Sequence, residues 1–290
     1  MIAEDNKLIQ KMAPHLRRAL IVDPHPASAR MLADLMRTLV GTQVWIAPDG
    51  RKGLDATNNI NANIVFVELA GPRTDGIDFV KRFRRSDAVC RQAPVVMMTA
   101  EATAQSILAA RDAGVSEFLR KPFNTKDLLR RLEAVTLHPR DWIEAVAYIG
   151  PDRRRFNSGD YTGPLKRRTD VKETPDAARI SQALKILKSA VAAVGSDPNQ
   201  ALRAMMAQAK DLQKAAMAVN DMKLVTAVAA LQRYLTAVVE RKAPFTRDEA
   251  AVHVNPLLAF LPADPAPRGV ASKAATGRTA AAPTRVATGA

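Results

Sequence analysis

Four short apolar runs in this chain each stop at a residue that can handle charge. ALIV (19–22) runs into Asp23, IVFV (64–67) into Glu68, PVVMMT (94–99) ends on Thr99, and EFLR (117–120) leads to Lys121. Apolar runs of this length between turn signals read as buried strands, and open α/β sheets place their sites at the carboxyl ends of their strands. Two acids, a hydroxyl and an ammonium are therefore expected to meet in one pocket. The plainer alternative for Glu68 is a strand that simply reaches solvent.

A second concentration of chemistry lies further on. Tyr148-Ile-Gly-Pro-Asp-Arg-Arg-Arg155 recurs 13 residues later as Tyr161-Thr-Gly-Pro-Leu-Lys-Arg-Arg168. The triplets Arg153, Arg154, Arg155 and Lys166, Arg167, Arg168, each behind a Gly-Pro turn and a tyrosine, have the ingredients for binding phosphates, nucleic acid or a guanine-containing dinucleotide. A solubilising linker, or a contact with a protein or membrane surface, would use the same residues.

The elements that must position these groups follow from periodicity. ALIV, QVWIA (43–47), IVFV, PVVMMT and EFLR are the strands, and the segments starting at Ser28, Arg51, Gly76, Ala104 and Asn124 carry helical spacing. Strands alternating with helices imply a doubly wound, five-stranded parallel sheet. RDWIEAVAYI (140–149) reads as a short helical extension. From Thr174 three long amphipathic helices follow, with turns at GSDP (195–198) and ND (220–221), and Asp197 is placed to cap the second, which opens on Pro198. A shorter fourth helix begins near Thr246 and is expected to break at Asn255-Pro256. The resulting division is an N-terminal extension (1–16), an α/β domain (17–137), a basic linker (138–173), an all-α bundle (174–261) that could self-associate as a homodimer, and an Ala/Pro/Arg-rich tail (262–290) expected to be disordered.

Composition narrows the function classes. The chain has 290 residues, a formal net charge of +14, 47% hydrophobic and only 4% aromatic residues, which favours α/β and helical cores over all-β ones. The lone Cys90 excludes a disulfide framework or a cysteine-rich zinc site, and His15, His25, His138 and His253 lie too far apart for ligand spacing. No structural metal is expected. The N-terminus lacks a secretory pattern and no uninterrupted apolar stretch is long enough to span a bilayer, so the expectation is a cytoplasmic protein without a transmembrane segment. The excess charge predicts attraction to an anionic partner.

The order IVD (21–23), PDG (48–50), P-x-x-DG (72–76), VVMMTAEA (95–102) and FLRKPF (118–123) resembles the receiver domain of two-component response regulators, over residues 17–137. In that family a carboxylate after the third strand accepts a phosphoryl group, magnesium is held by it and by acids after the first strand, and the hydroxyl and lysine bind the phosphoryl oxygens. The chain departs twice. Glu68 stands at the acceptor position, one methylene longer than aspartate, and Pro24 replaces the second acid after the first strand. Ordinary phosphotransfer is therefore not expected, and magnesium binding should be weak or lost. Glu68 could instead fix an active-like state through Lys121 and Thr99, or the pocket could be a remnant in a docking module. Phe118 takes the place of the family's switch aromatic, and the family's output face would include Arg111, Arg120, Lys126, Arg130 and Arg131.

No catalytic output motif or DNA-reading helix-turn-helix is legible, and His253, close to a proline, does not suit a histidine-phosphotransfer helix. The resemblance implies a non-enzymatic, phosphorylation-independent regulator acting on a signalling protein partner. The alternative is a cyclic di-GMP or other nucleotide or nucleic-acid sensor using the basic repeat, although the PilZ family's full pattern is missing.

Overall fold

The computed structural model describes residues 2–153 and 174–261. The repeat residues Arg154, Arg155, Tyr161, Lys166, Arg167 and Arg168, and the tail after Leu261, lie outside them.

A five-stranded parallel sheet is built from β1 (Arg18–Val22), β2 (Gln43–Ala47), β3 (Ile64–Glu68), β6 (Val95–Thr99) and β7 (Glu117–Arg120), in the order β2-β1-β3-β6-β7. Two two-residue strands, β4 (Ala70–Gly71) and β5 (Thr74–Asp75), form a tight antiparallel hairpin directly after β3. Each central strand is an unbroken apolar run because both its faces are covered. Ile21, Ile64, Phe66, Val96 and Met98 point to one layer with α2 (Pro26–Val40) and α6 (Thr125–Thr136). Leu20, Val22, Val65, Val67 and Met97 point to the other, with α3 (Gly50–Ile60), α4 (Gly76–Arg85) and α5 (Ala104–Ala113). Capping side chains fix where the helices begin. Asp49 accepts from the Lys52 amide at 2.8 Å, Asp75 from Asp78 at 3.0 Å, and Thr103–Ser106 and Asn124–Asp127 form reciprocal boxes.

Residues 1–16 are not a separate extension. Helix α1 (Ile2–Met12) packs against α2 and α6, and Met12 and Leu16 are fully buried in the sheet's first layer. RDWIEAVAYI is not helical either. It forms an antiparallel hairpin, β8 (Trp142–Glu144) with β9 (Ile149–Pro151). Burial decides this: Glu144, Tyr148 and Ile149 are drawn against the domain, a tertiary demand that helical propensity does not report. The first Gly-Pro of the repeat is thus a strand rather than a turn, and this part of the linker belongs to the fold.

Four helices make the second body: α7 (Pro175–Ala193), α8 (Pro198–Ala218), α9 (Met222–Val239) and α10 (Arg247–Leu258). Leu184, Leu187, Met205, Leu212, Val228 and Leu231 fill its core, and Asp197 caps α8 through the Gln200 amide at 3.2 Å. The fourth helix is integral, since Ala250, Val254 and Leu257 are buried against α7 and α9. It also continues through Pro256. So close to the helix end the proline removes a single backbone hydrogen bond, and the burial of Leu257 offsets it. By length and mean hydropathy α9 could cross a bilayer. Its Leu224, Val228, Leu231 and Leu235 are instead spent on the bundle core.

Candidate functional site

The carboxyl ends of β1, β3, β6 and β7 do converge. Asp23 and Glu68 are 1% and 5% exposed, and the ammonium of Lys121 sits between them. Its Nζ donates to Asp23 Oδ2 at 2.8 Å, Glu68 Oε2 at 2.5 Å and Ser28 Oγ at 2.7 Å. All three of its N–H donors are thereby used. The remaining Asp23 oxygen accepts from the His25 amide at 2.8 Å and faces His25 Nδ1 at 3.3 Å.

Burial pushes the Asp23 carboxyl up, but hydrogen bonds from Lys121, the His25 amide and Ser28 outweigh it and hold the group below its usual range. Burial likewise pushes Lys121 down, and its bonds to Asp23 and Glu68 reverse the sign and hold the ammonium above its usual value. The two shifts agree, and both describe a locked ionic network.

Thr99 lies outside that network. Its Oγ1 accepts from the Glu101 amide at 3.0 Å and is aimed at the Glu101 carbonyl at 3.4 Å. Pro24 does not face the acids as a ligand would. Its ring packs over Gly71 of the β4–β5 hairpin, where an added Cβ would lie 2.5 Å from Pro24 Cγ. Phe118 is half-buried and packs inward on the α3–α4–α5 layer. On the face formed by α5, β7 and α6, Arg131 is paired with Glu117 at 3.0 Å and Arg111 with Asp112 at 3.3 Å, while Arg120 is exposed.

The repeat has a different fate. Tyr148 is buried and donates to the Pro151 carbonyl at 2.6 Å, while Arg153 stacks on its ring at 4.3 Å and pairs with Asp112 at 2.9 Å. The described residues of the first copy, 148–153, are thus not brought near the pocket.

Ser28 and His25 were missed by sequence reasoning. Ser28 falls in the first turn of the helix after Asp23, and that position, one turn beyond a strand-end acid, was its available signal.

The response regulator receiver domain family matches residues 19–133. Residues 19–133 are a response regulator receiver domain. Among curated proteins the chain is similar to the DNA-binding response regulator MtrA of Mycolicibacterium smegmatis, 30% identical over 118 residues, 41% of this chain and 50% of that one. It is also similar to the transcriptional regulatory protein CpxR of Escherichia coli, 28% identical over 129 residues, 44% and 53% of the respective chains. The chain thus spans about half the length of the curated relatives it matches. Among solved structures, the chemotaxis protein CheY4 of Vibrio cholerae aligns with TM-score 0.39 and 26% identity over 41% of this chain and 98% of that one. The receiver domain belongs to two-component signalling.

Proposed function

We propose that this chain is an atypical, phosphorylation-independent response regulator, a non-enzymatic cytoplasmic protein whose receiver and helical bundle are interaction modules for a signalling partner. The observation that carries the reading is the saturation of Lys121 by Asp23, Glu68 and Ser28. A magnesium ion would need the space and the oxygens that the ammonium already takes, and Pro24 brings no side-chain oxygen of its own. These residues do not fit the ion. The cation in the site is part of the chain and cannot leave, and it is shared by both carboxylates.

Glu68 supplies one of the two contacts expected of a bound phosphoryl group, reaching the lysine while Thr99 turns to Glu101. A single carboxylate charge also falls short of a phosphoryl's nearly two. The receiver on this reading stays in one arrangement instead of switching. The competing nucleotide reading is weakened at its first motif, because Tyr148 and Arg153 are spent on the fold.

The test is incubation of the full chain with acetyl phosphate and magnesium, followed by intact-mass spectrometry. The mass should not change, whereas stable addition of one phosphoryl group to the receiver overturns the proposal. Pro24→Asp combined with Glu68→Asp should restore labelling, since Asp23, Thr99 and Lys121 remain in place.

A further inference from the structure

Beside the pocket, on the far side of the β4–β5 hairpin, an open cleft of about 450 Å³ separates the start of α3 from α4. Its wall carries three guanidinium groups, Arg51, Arg73 and Arg82. Among the described residues, Arg51 and Arg73 make no ion pair or side-chain hydrogen bond, and Arg82 has only a loose contact with Asp78, at 3.7 Å. The two acids at the cleft have internal uses. Asp75 caps α4, and Asp78 faces Arg82. The first amides of α3, at Gly50 and Arg51, have no intrahelical acceptor, and both residues line the cleft.

A separate observation points to a ligand. Thr74 also lines the cleft, is 6% exposed, and its hydroxyl has neither donor nor acceptor partner among the described residues. Buried hydroxyls are ordinarily satisfied, so one without a partner beside a cleft calls for an explanation, and a ligand group supplies one. The hairpin that carries Arg73 and Thr74 is propped by Pro24 against Gly71, so the residue that replaces the second acid also shapes this cleft.

We propose that the cleft binds a small phosphate ester, its phosphate held by Arg51, Arg73 and the first amides of α3, with the Thr74 hydroxyl turning to meet it. Guanidinium pairs and helix N-termini are suited to phosphate oxygens. A cleft of this size admits a molecule of mononucleotide dimensions, and Leu54 offers an apolar wall to its organic part. The proposal goes beyond the phosphorylation-independent reading and does not need it.

Calorimetric titration of the full chain with adenosine 5′-monophosphate, and separately with inorganic phosphate, tests it. Neither probe is a phosphoryl donor, so the outcome is independent of what Glu68 can accept. One saturable site is expected for the monophosphate, about tenfold tighter than for phosphate. Arg51→Gln with Arg73→Gln should weaken it by about tenfold or more, and Thr74→Val by several-fold. Both Arg51 and Arg73 are exposed, so the double variant should fold, as circular dichroism can verify. Replacing the basic residues at 153–155 and 166–168 by glutamine should leave the affinity unchanged. The proposal is overturned if neither probe saturates, if the arginine pair is dispensable, if the basic triplets carry the binding, or if inorganic phosphate binds as tightly as the ester.

Discussion

On the proposed reading, Pro24 and Glu68 leave Lys121 with a structural task, to hold two buried carboxylates together. With an ion between them, two buried acids would need only a modest contribution from a neighbouring lysine. Without one, the lysine must serve both, and the longer arm of Glu68 lets it reach that carboxylate at 2.5 Å. The contributions of the two partners should therefore be unequal. Glu68→Gln keeps an acceptor and removes a charge, so thermal unfolding should register about 1 kcal/mol, the difference between a charged and a neutral hydrogen bond. Lys121→Met leaves Asp23 and Glu68 buried together without a cation, and should cost about 3–5 kcal/mol. The pH response separates these further. In Lys121→Met the burial that pushes the Asp23 carboxyl up is no longer outweighed by the lysine, so the variant should recover stability relative to wild type as pH falls from 7 to about 5. Equal losses in the two variants, or a flat response to pH in Lys121→Met, would mean that the ammonium does not hold the pocket together.

At the scale of elements, the parallel sheet and the pocket ends were legible because both depend on local signals: unbroken apolar runs, and the residue type that follows each. The docked pieces were not. The hairpin of Trp142–Glu144 with Ile149–Pro151 has no alternating pattern long enough to read, and what specifies it is a distant glycine. Gly114 has φ 97°, and its position is pressed by the β9 backbone, so that a Cβ there would collide with the Ile149 carbonyl oxygen. Its own carbonyl accepts from Arg84 Nε at 3.1 Å and Nη2 at 2.9 Å. Arg84 is itself fully buried, and burial pulls its guanidinium down to about 9. Bonds to the Arg91 and Ala93 carbonyls at 2.6 and 2.7 Å and the nearby Trp142 ring hold it in place. An arginine inside a helix's apolar stripe gives no sequence hint that it is the seat of a hairpin. Gly114→Ala should cost at least about 1–2 kcal/mol for the left-handed backbone alone. It should also free the hairpin, seen as faster amide hydrogen exchange at residues 142–151 with the sheet unchanged. Exchange confined to α5 would show that the hairpin does not depend on Gly114.

At the scale of the whole molecule, the bundle attaches to the receiver through the Trp142–Pro151 hairpin and the loop leading into β6, the pole opposite the Glu68 pocket. Among the described residues, no hydrogen bond or ion pair links the bundle to the pocket or the cleft. One buried carboxylate gathers the joint. Glu144 accepts from Arg91 at 3.1 and 3.0 Å on the receiver, from Trp142 at 2.9 Å within the hairpin, and from Gln200 at 3.1 Å on α8, while its carbonyl accepts from Gln208 at 3.1 Å. Around it Arg85 reaches Asp197 and the Val146 carbonyl, and Arg203 pairs with Asp87. Burial pushes the Glu144 carboxyl up, but Arg91, Trp142 and Gln200 together draw it below its usual value. A depressed carboxyl contributes stability that is present above the unfolded value of 4.5 and is lost as pH falls through the folded one. The joint should thus hold at neutral pH and loosen below about pH 4.5. Glu144→Gln places an amide N–H₂ among four donors and should loosen it at every pH. The measurement is thermal unfolding with hydrogen exchange along α8. Wild type should show coupled unfolding of receiver and bundle at pH 7 and lose that coupling in acid, whereas Glu144→Gln should unfold in two steps at pH 7 and change little between pH 7 and 4. Coupled unfolding of Glu144→Gln at neutral pH would place the joint in the surrounding arginine pairs instead of the carboxylate.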